Sequence, residues 1–179
     1  MSATLPLVVL VGPPSSGKTT VGTALAAELG VPFRDTDRDV EEQTGSSIAD
    51  LFVTEGEPHF RELEERAVAR ALSEHDGILA LGGGSVTSEA TRRLLVEHGR
   101  TGVVVWLDVD LASAAKRVGL SRDRPLLAVN PRAMLRTMLE QRAPLYAEVS
   151  TVKVSTAGKT IEDVVTEVLA ALPGRTVAP

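Results

Sequence analysis

Unbroken apolar runs recur along the chain at Leu7-Val8-Val9-Leu10-Val11, Ile78-Leu79-Ala80-Leu81 and Val103-Val104-Val105-Trp106-Leu107, with a shorter one at Val152-Lys153-Val154 and a weaker one at Val31-Pro32-Phe33. Runs of strand length without polar alternation belong to strands covered on both faces, as in a parallel sheet. Between them, amphipathic stretches predict helices over Thr19 to Leu29, Glu57 to Leu72, Ser88 to Glu97, Leu111 to Val118, Pro131 to Val149 and Ile161 to Leu172. Strands alternating with helices predict a parallel α/β sheet. Two segments break the rhythm. Asp35 to Phe60 carries turn and cap signals without a strand, including Thr54-Glu55-Gly56-Glu57 at capping-box spacing, and Gly119 to Asn130 holds little periodicity. In open α/β sheets, ligands and lids belong to such excursions beyond the carboxyl ends of strands. Asp39, three residues after Thr36, is the expected helix cap of the first excursion. Pro173 to Pro179 reads as a frayed tail.

Composition narrows the class. A chain of 179 residues without repeats or linkers reads as one domain, residues 1–179, able to bury a core. A hydrophobic fraction of 43% and mean hydropathy of +0.07 argue against both a disordered chain and a membrane protein. Met1 to Val11 has no basic residue and reads as a strand rather than a signal peptide, so a cytoplasmic location is expected. The absence of cysteine excludes disulfides, thiol catalysis and Cys-ligated zinc. The net charge of −5 conceals an asymmetry: Arg34 to Arg66 carries −7 and Lys116 to Arg142 carries +5. Most of these charges read as solvated helix faces, and neither a nucleic-acid partner nor a membrane partner is expected.

Gly12-Pro13-Pro14-Ser15-Ser16-Gly17-Lys18-Thr19 matches the phosphate-loop pattern G-x-x-x-x-G-K-[ST], directly after a predicted strand and before a predicted helix. Backbone N–H groups from Ser15, Ser16, Gly17, Lys18, Thr19 and Thr20 would face phosphate oxygens, reinforced by the helix N-terminus. Lys18 would reach the β- and γ-phosphates, and the Thr19 hydroxyl would ligate Mg²⁺. No Asn-Lys-x-Asp segment is present to read guanine, and a motor would need more chain and a partner domain. A compact kinase remains, in which catalysis is mostly positioning and charge neutralisation.

Further segments in order complete a pattern that covers nearly the whole chain: Asp35-Thr36-Asp37, Gly45 to Phe52, Phe60-Arg61-Glu62-Leu63-Glu64, Leu81-Gly82-Gly83-Gly84, Arg124-Pro125-Leu126-Leu127 and Arg142-Ala143-Pro144-Leu145-Tyr146. Together they resemble the shikimate kinase family. That resemblance implies an α/β three-layer P-loop kinase fold with a five-stranded parallel sheet, a substrate-binding subdomain over residues 35–68 and a lid over residues 119–130. It implies ATP-dependent phosphorylation of the 3-hydroxyl of shikimate in chorismate and aromatic amino acid biosynthesis, with Mg²⁺, by a monomer.

The resemblance also assigns roles. Arg61 and Arg142 would grip the shikimate carboxylate, Asp37 its hydroxyls, and Gly83 would offer a backbone contact, with Gly82 and Gly84 supplying turn geometry. On an extended segment Asp35 would share a face with Asp37, and it would contact the metal through water. Glu64, one helical turn after Arg61, would orient that guanidinium. Arg124 would reach the transferring phosphate from the lid, Arg117 would pack on adenine, and Lys159 would lie beside adenine where many relatives carry Arg. A kinase of gluconate or another polyol acid is the nearest alternative, and a non-catalytic nucleotide-binding protein the alternative from another class.

Overall fold

Strand β1 (Val8–Val11) is wholly apolar and wholly buried, which only a central strand with both faces covered allows. In the computed structural model, which describes residues 6–119 and 131–173, it lies at the middle of a five-stranded sheet. The other strands are β2 (Phe33–Asp35), β3 (Ile78–Ala80), β4 (Val103–Asp108) and β5 (Val152–Ser155), in the order β2-β3-β1-β4-β5, all parallel. Val8 sits opposite both Ile78 and Val103, so every strand turns alternate residues to the same two faces.

On one face Val8, Leu10, Ile78, Val105 and Leu107 pack against helices α1 (Lys18–Leu29) and α8 (Ile161–Ala170). On the other, Val9, Val11, Leu79, Leu81, Val104 and Trp106 meet α4 (Glu57–Glu74), α5 (Glu89–His98) and α7 (Pro131–Val149). The result is the expected three-layer α/β architecture. A smaller cluster, Val109, Ala114 and Leu135, joins α6 (Leu111–Gly119) to α7. Among the described residues no helix is long and apolar enough to cross a membrane.

The structure corrects the reading of the first excursion. Strand β2 begins at Phe33, because Pro32 has no N–H to pair; its carbonyl instead accepts from Ile78 N at 2.9 Å. Residues after it form two helices, α2 (Thr36–Thr44) and α3 (Ile48–Thr54), where the sequence pattern suggests only turns. Helix α2 buries just Thr36 and Val40, so no apolar period announces it. Its cap is Asp35, whose Oδ1 accepts from Asp37 N at 3.0 Å; Asp39 pairs instead with Arg34 at 2.7 Å. Asp37 therefore stands in the first turn of a helix, not two steps along a strand. Thr54 ends α3 and caps nothing, and α4 starts after Gly56, whose φ of 84° needs glycine. Val40, Leu51, Phe60, Leu63 and Ala67 form a small core of their own between α2, α3 and α4. The expected lid lies outside the described residues except for Gly119, and so does Arg124; the tail from 174 onward is likewise outside them.

Candidate active site

The phosphate loop is held open by three residues of positive φ: Gly12 (151°), Ser15 (67°) and Gly17 (90°). A Cβ at Gly12 would stand 2.5 Å from the Leu107 carbonyl oxygen, so the loop can hug β4 only with glycine there. Gly17 is the N-cap of α1 and makes no side-chain cap, leaving the first-turn amides of the helix for an anion. The Lys18 ammonium bends over the loop and donates to the carbonyls of Gly12 (2.7 Å) and Pro13 (2.9 Å). Ser16 is buried beneath it, while Thr20 is exposed on the first turn of α1.

Ser15 carries a left-handed backbone without being glycine, a conformation that costs on the order of 1 kcal/mol. Ser15→Gly is expected to raise the melting temperature by about 2–4 °C with the KM for ATP within about twofold, since about 1 kcal/mol moves a domain of this size by that much. Calorimetry with parallel kinetics checks it; an unchanged or lower melting temperature refutes the strain.

The Thr19 hydroxyl donates to Asp35 Oδ2 at 2.9 Å, and the other oxygen of the same carboxylate caps α2. One side chain thus ties the phosphate loop to the helix that carries Asp37. Asp37 has its carboxyl pushed up to about 6, first by burial, then by the Asp35 and Glu64 carboxylates, with Lys18 pulling the other way.

Across from it, the Arg61 guanidinium is clamped by Glu64 (2.7 Å) and by Glu57 (3.0 Å), with the rings of Phe60 and Phe52 at 5.3 and 5.9 Å. Burial lowers its pKa, but Glu64 and Glu57 outweigh burial and hold it above the usual arginine value. Glu64 is only 2% exposed, so this is a buried clamp rather than a surface pair worth a few tenths of a kcal/mol. Burial pushes the Glu64 carboxyl up while Arg61 and then Arg142 oppose it. Arg142, half-buried on α7, is therefore close to the same cluster.

A family model for shikimate kinase matches residues 14–173. The chain belongs to the shikimate kinase family. A shikimate kinase of Salinispora arenicola is 57% identical over 167 residues, covering 93% of this chain and 98% of the relative. The structure of the shikimate kinase of Acinetobacter baumannii in complex with shikimate superposes with a TM-score of 0.86 at 38% identity, covering 93% of this chain and 92% of that one. A gluconokinase from Sinorhizobium meliloti is more distant, with a TM-score of 0.57 at 25% identity over 94% of this chain and 92% of that one. The protein is thus a small-molecule kinase with ATP as phosphoryl donor.

Within this shikimate kinase family frame, the Gly82-Gly83-Gly84 segment has a different rationale from the turn geometry anticipated for it. None of the three has a positive φ. A Cβ would stand 2.6 Å from Asp37 Oδ1 at Gly82, 2.6 Å from Pro14 Cδ at Gly83 and 2.6 Å from Arg61 Cζ at Gly84. The glycines are there so that site side chains can lie flat against the backbone. Arg117 donates to the Ser15 carbonyl at 2.8 Å, and Lys159 pairs with Glu167 on α8 at 2.6 Å.

Sequence reasoning passes over Glu57 and Tyr146. Glu57 is visible as an i, i+4 partner of Arg61. Tyr146 gives no signal beyond its place in the motif, since only the fold brings its hydroxyl to the Gly83 carbonyl at 2.5 Å.

Proposed function

We propose that the protein transfers the γ-phosphoryl group of ATP to the 3-hydroxyl of shikimate, forming shikimate 3-phosphate and ADP on the route to chorismate and the aromatic amino acids, in the cytoplasm and as a monomer. The observation that carries this reading is the clamped Arg61 guanidinium lying across the glycine segment from Asp37, beside the phosphate loop. A fixed, planar cation fits a carboxylate through two parallel hydrogen bonds, and a half-buried carboxylate beside the phosphate loop fits an acceptor alcohol.

In this reading Arg61 and Arg142 hold the substrate carboxylate, and Asp37 and the Gly83 backbone hold its hydroxyls. Asp37 orients the attacking hydroxyl and takes its proton late, because a loose phosphoryl-transfer transition state asks little of a base. Lys18 leaves the Gly12 and Pro13 carbonyls for the phosphates, joined by amides of the segment from Ser15 to Thr20, of which the Ser16 N–H first gives up its bond to the Pro13 carbonyl at 3.2 Å. Residues 35–68 act as the substrate-binding subdomain, residues 119–130 as the lid that brings Arg124 to the transferring group, and Arg117 and Lys159 flank adenine.

The Thr19 hydroxyl and Asp35 carboxylate, two hard oxygen groups 2.9 Å apart, fit Mg²⁺, which keeps most of its waters and needs few protein ligands. Thr19 would ligate directly and Asp35 through water; the bound ion supplies neutralisation of phosphate charge.

Coupled ADP-release kinetics with Mg-ATP and shikimate, quinate or gluconate test the proposal. Turnover with shikimate is expected, and turnover with gluconate but not shikimate overturns it. Arg142→Ala should raise the KM for shikimate about 10- to 100-fold, the cost of one charge-assisted hydrogen-bonding partner, with the KM for ATP within about twofold. Equal effects on both would remove Arg142 from the carboxylate site.

A further inference from the structure

Tyr146 lies on α7 four residues after Arg142, one helical turn along the same face. Its ring is 1% exposed and tilts against Trp106 at 5.7 Å between centroids. Burial takes its hydroxyl up to about 12 against the pull of Arg142, so it keeps its proton and remains a donor at any working pH. That proton goes to the Gly83 carbonyl at 2.5 Å.

A trans peptide is planar, and its C=O and N–H point in opposite directions. With the Gly83 carbonyl drawn toward α7, the Gly84 N–H of the same peptide points away from α7. The Gly84 end is the one in contact with Arg61. Among the described residues neither the Gly83 nor the Gly84 amide donates to a protein acceptor, whereas the Gly82 amide goes to Thr36 Oγ1 at 3.3 Å and the Ser85 amide to the Gly82 carbonyl at 3.1 Å.

We propose that Tyr146 is a positioning residue for the acceptor substrate: by holding the Gly83 carbonyl it presents the Gly84 amide to a substrate oxygen and fixes the spacing between that donor and Arg142. The inference rests on the acceptor site proposed above. A free glycine peptide can rotate at little cost, because no side chain restricts it. The tyrosine hydroxyl removes that freedom before the substrate arrives, so affinity is gained by preorganisation rather than by direct contact. It also makes one unit of the two substrate grips: α7 cannot carry Arg142 outward without releasing the glycine segment.

The test is Tyr146→Phe, which keeps the ring and removes only the hydroxyl. The KM for shikimate is expected to rise about five- to tenfold, matching the loss of one positioned hydrogen bond, while kcat and the KM for ATP stay within about twofold. In ¹⁵N-labelled wild-type enzyme, saturating shikimate should move the Gly84 amide proton downfield, and in Tyr146→Phe at saturation that shift should be smaller. A lowered melting temperature with an unchanged KM for shikimate, or a Gly84 shift identical in both proteins, reduces Tyr146 to a packing role and overturns the inference alone. Absence of shikimate-dependent ADP release by the wild type overturns the inference together with the proposed function.

Discussion

Asp37→Asn is expected to lower kcat/KM for shikimate by about 10²- to 10³-fold while making the protein more stable by about 2 kcal/mol at pH 8. The two effects have one cause. The Asp37 carboxyl is surrounded by low-dielectric walls and by the Asp35 and Glu64 carboxylates, which push it up to about 6. In the unfolded chain it would titrate near 3.8. A group whose pKa is raised on folding stabilises the folded state below its unfolded pKa and withdraws that stabilisation as pH rises through the folded one. At pH 8 the native enzyme therefore carries an ion it would rather not hold, and an amide of the same shape relieves it. Partial exposure of Asp37 limits the relief to less than the full shift implies.

Melting curves from pH 4 to 8 should show the asparagine variant gaining on the wild type as pH rises, with no gap near pH 4. The same titration appears in the wild-type log(kcat/KM) for shikimate, which should fall below pH about 6 as the free enzyme takes up the proton. A variant less stable than the wild type at pH 8 would show that Asp37 is a structural anchor. Storing electrostatic strain at the acceptor hydroxyl is a recurrent trade of stability for function.

Gly84→Ala is expected to cut kcat/KM for shikimate at least about 100-fold, mostly through KM, although it removes no functional atom. Its methyl group would lie 2.6 Å from Arg61 Cζ, inside any allowed contact. The guanidinium is the far end of a flexible side chain, so it escapes by swinging away from Glu64 and Glu57. The fold survives, but the clamp opens, and Glu64 is left buried without its cation. Kinetics of Gly84→Ala, Arg61→Ala and the double variant decide the matter. The double variant should be no worse than Arg61→Ala alone, because both changes remove the same interaction. Additive losses would mean that the added methyl group disturbs the substrate independently of Arg61.

Much of the fold is legible in the chain itself. The β1 run and the phosphate loop after it specify a buried parallel strand entering a helix, since unbroken apolar residues and the G-x-x-x-x-G-K-[ST] spacing have local physical causes. The six amphipathic stretches match their helices to within two residues at each end because the buried faces repeat at helical spacing. The Arg61–Glu64 pair is readable because residues three apart on a helix are neighbours. Helix α2 is not, because a cap, two threonines and six charged or amide side chains hide one buried valine.

What is left to the tertiary structure is the set of relations between distant segments. Asp35 bridges Thr19 to α2 across 16 residues, and Tyr146 reaches Gly83 across 63. The three glycines after β3 look alike in sequence, yet they lie against different neighbours: Gly82 against Glu64 and Asp37, Gly83 against Pro14, and Gly84 against Arg61. Sequence alone determined the strands, most helices and the chemical types of the site residues, because periodicity and motif spacing act within a few turns of the chain. Only the packed sheet decided which carboxylate caps, which is strained and which clamps. Those outcomes depend on burial and on charges brought together from separate elements, and neither exists until the layers close.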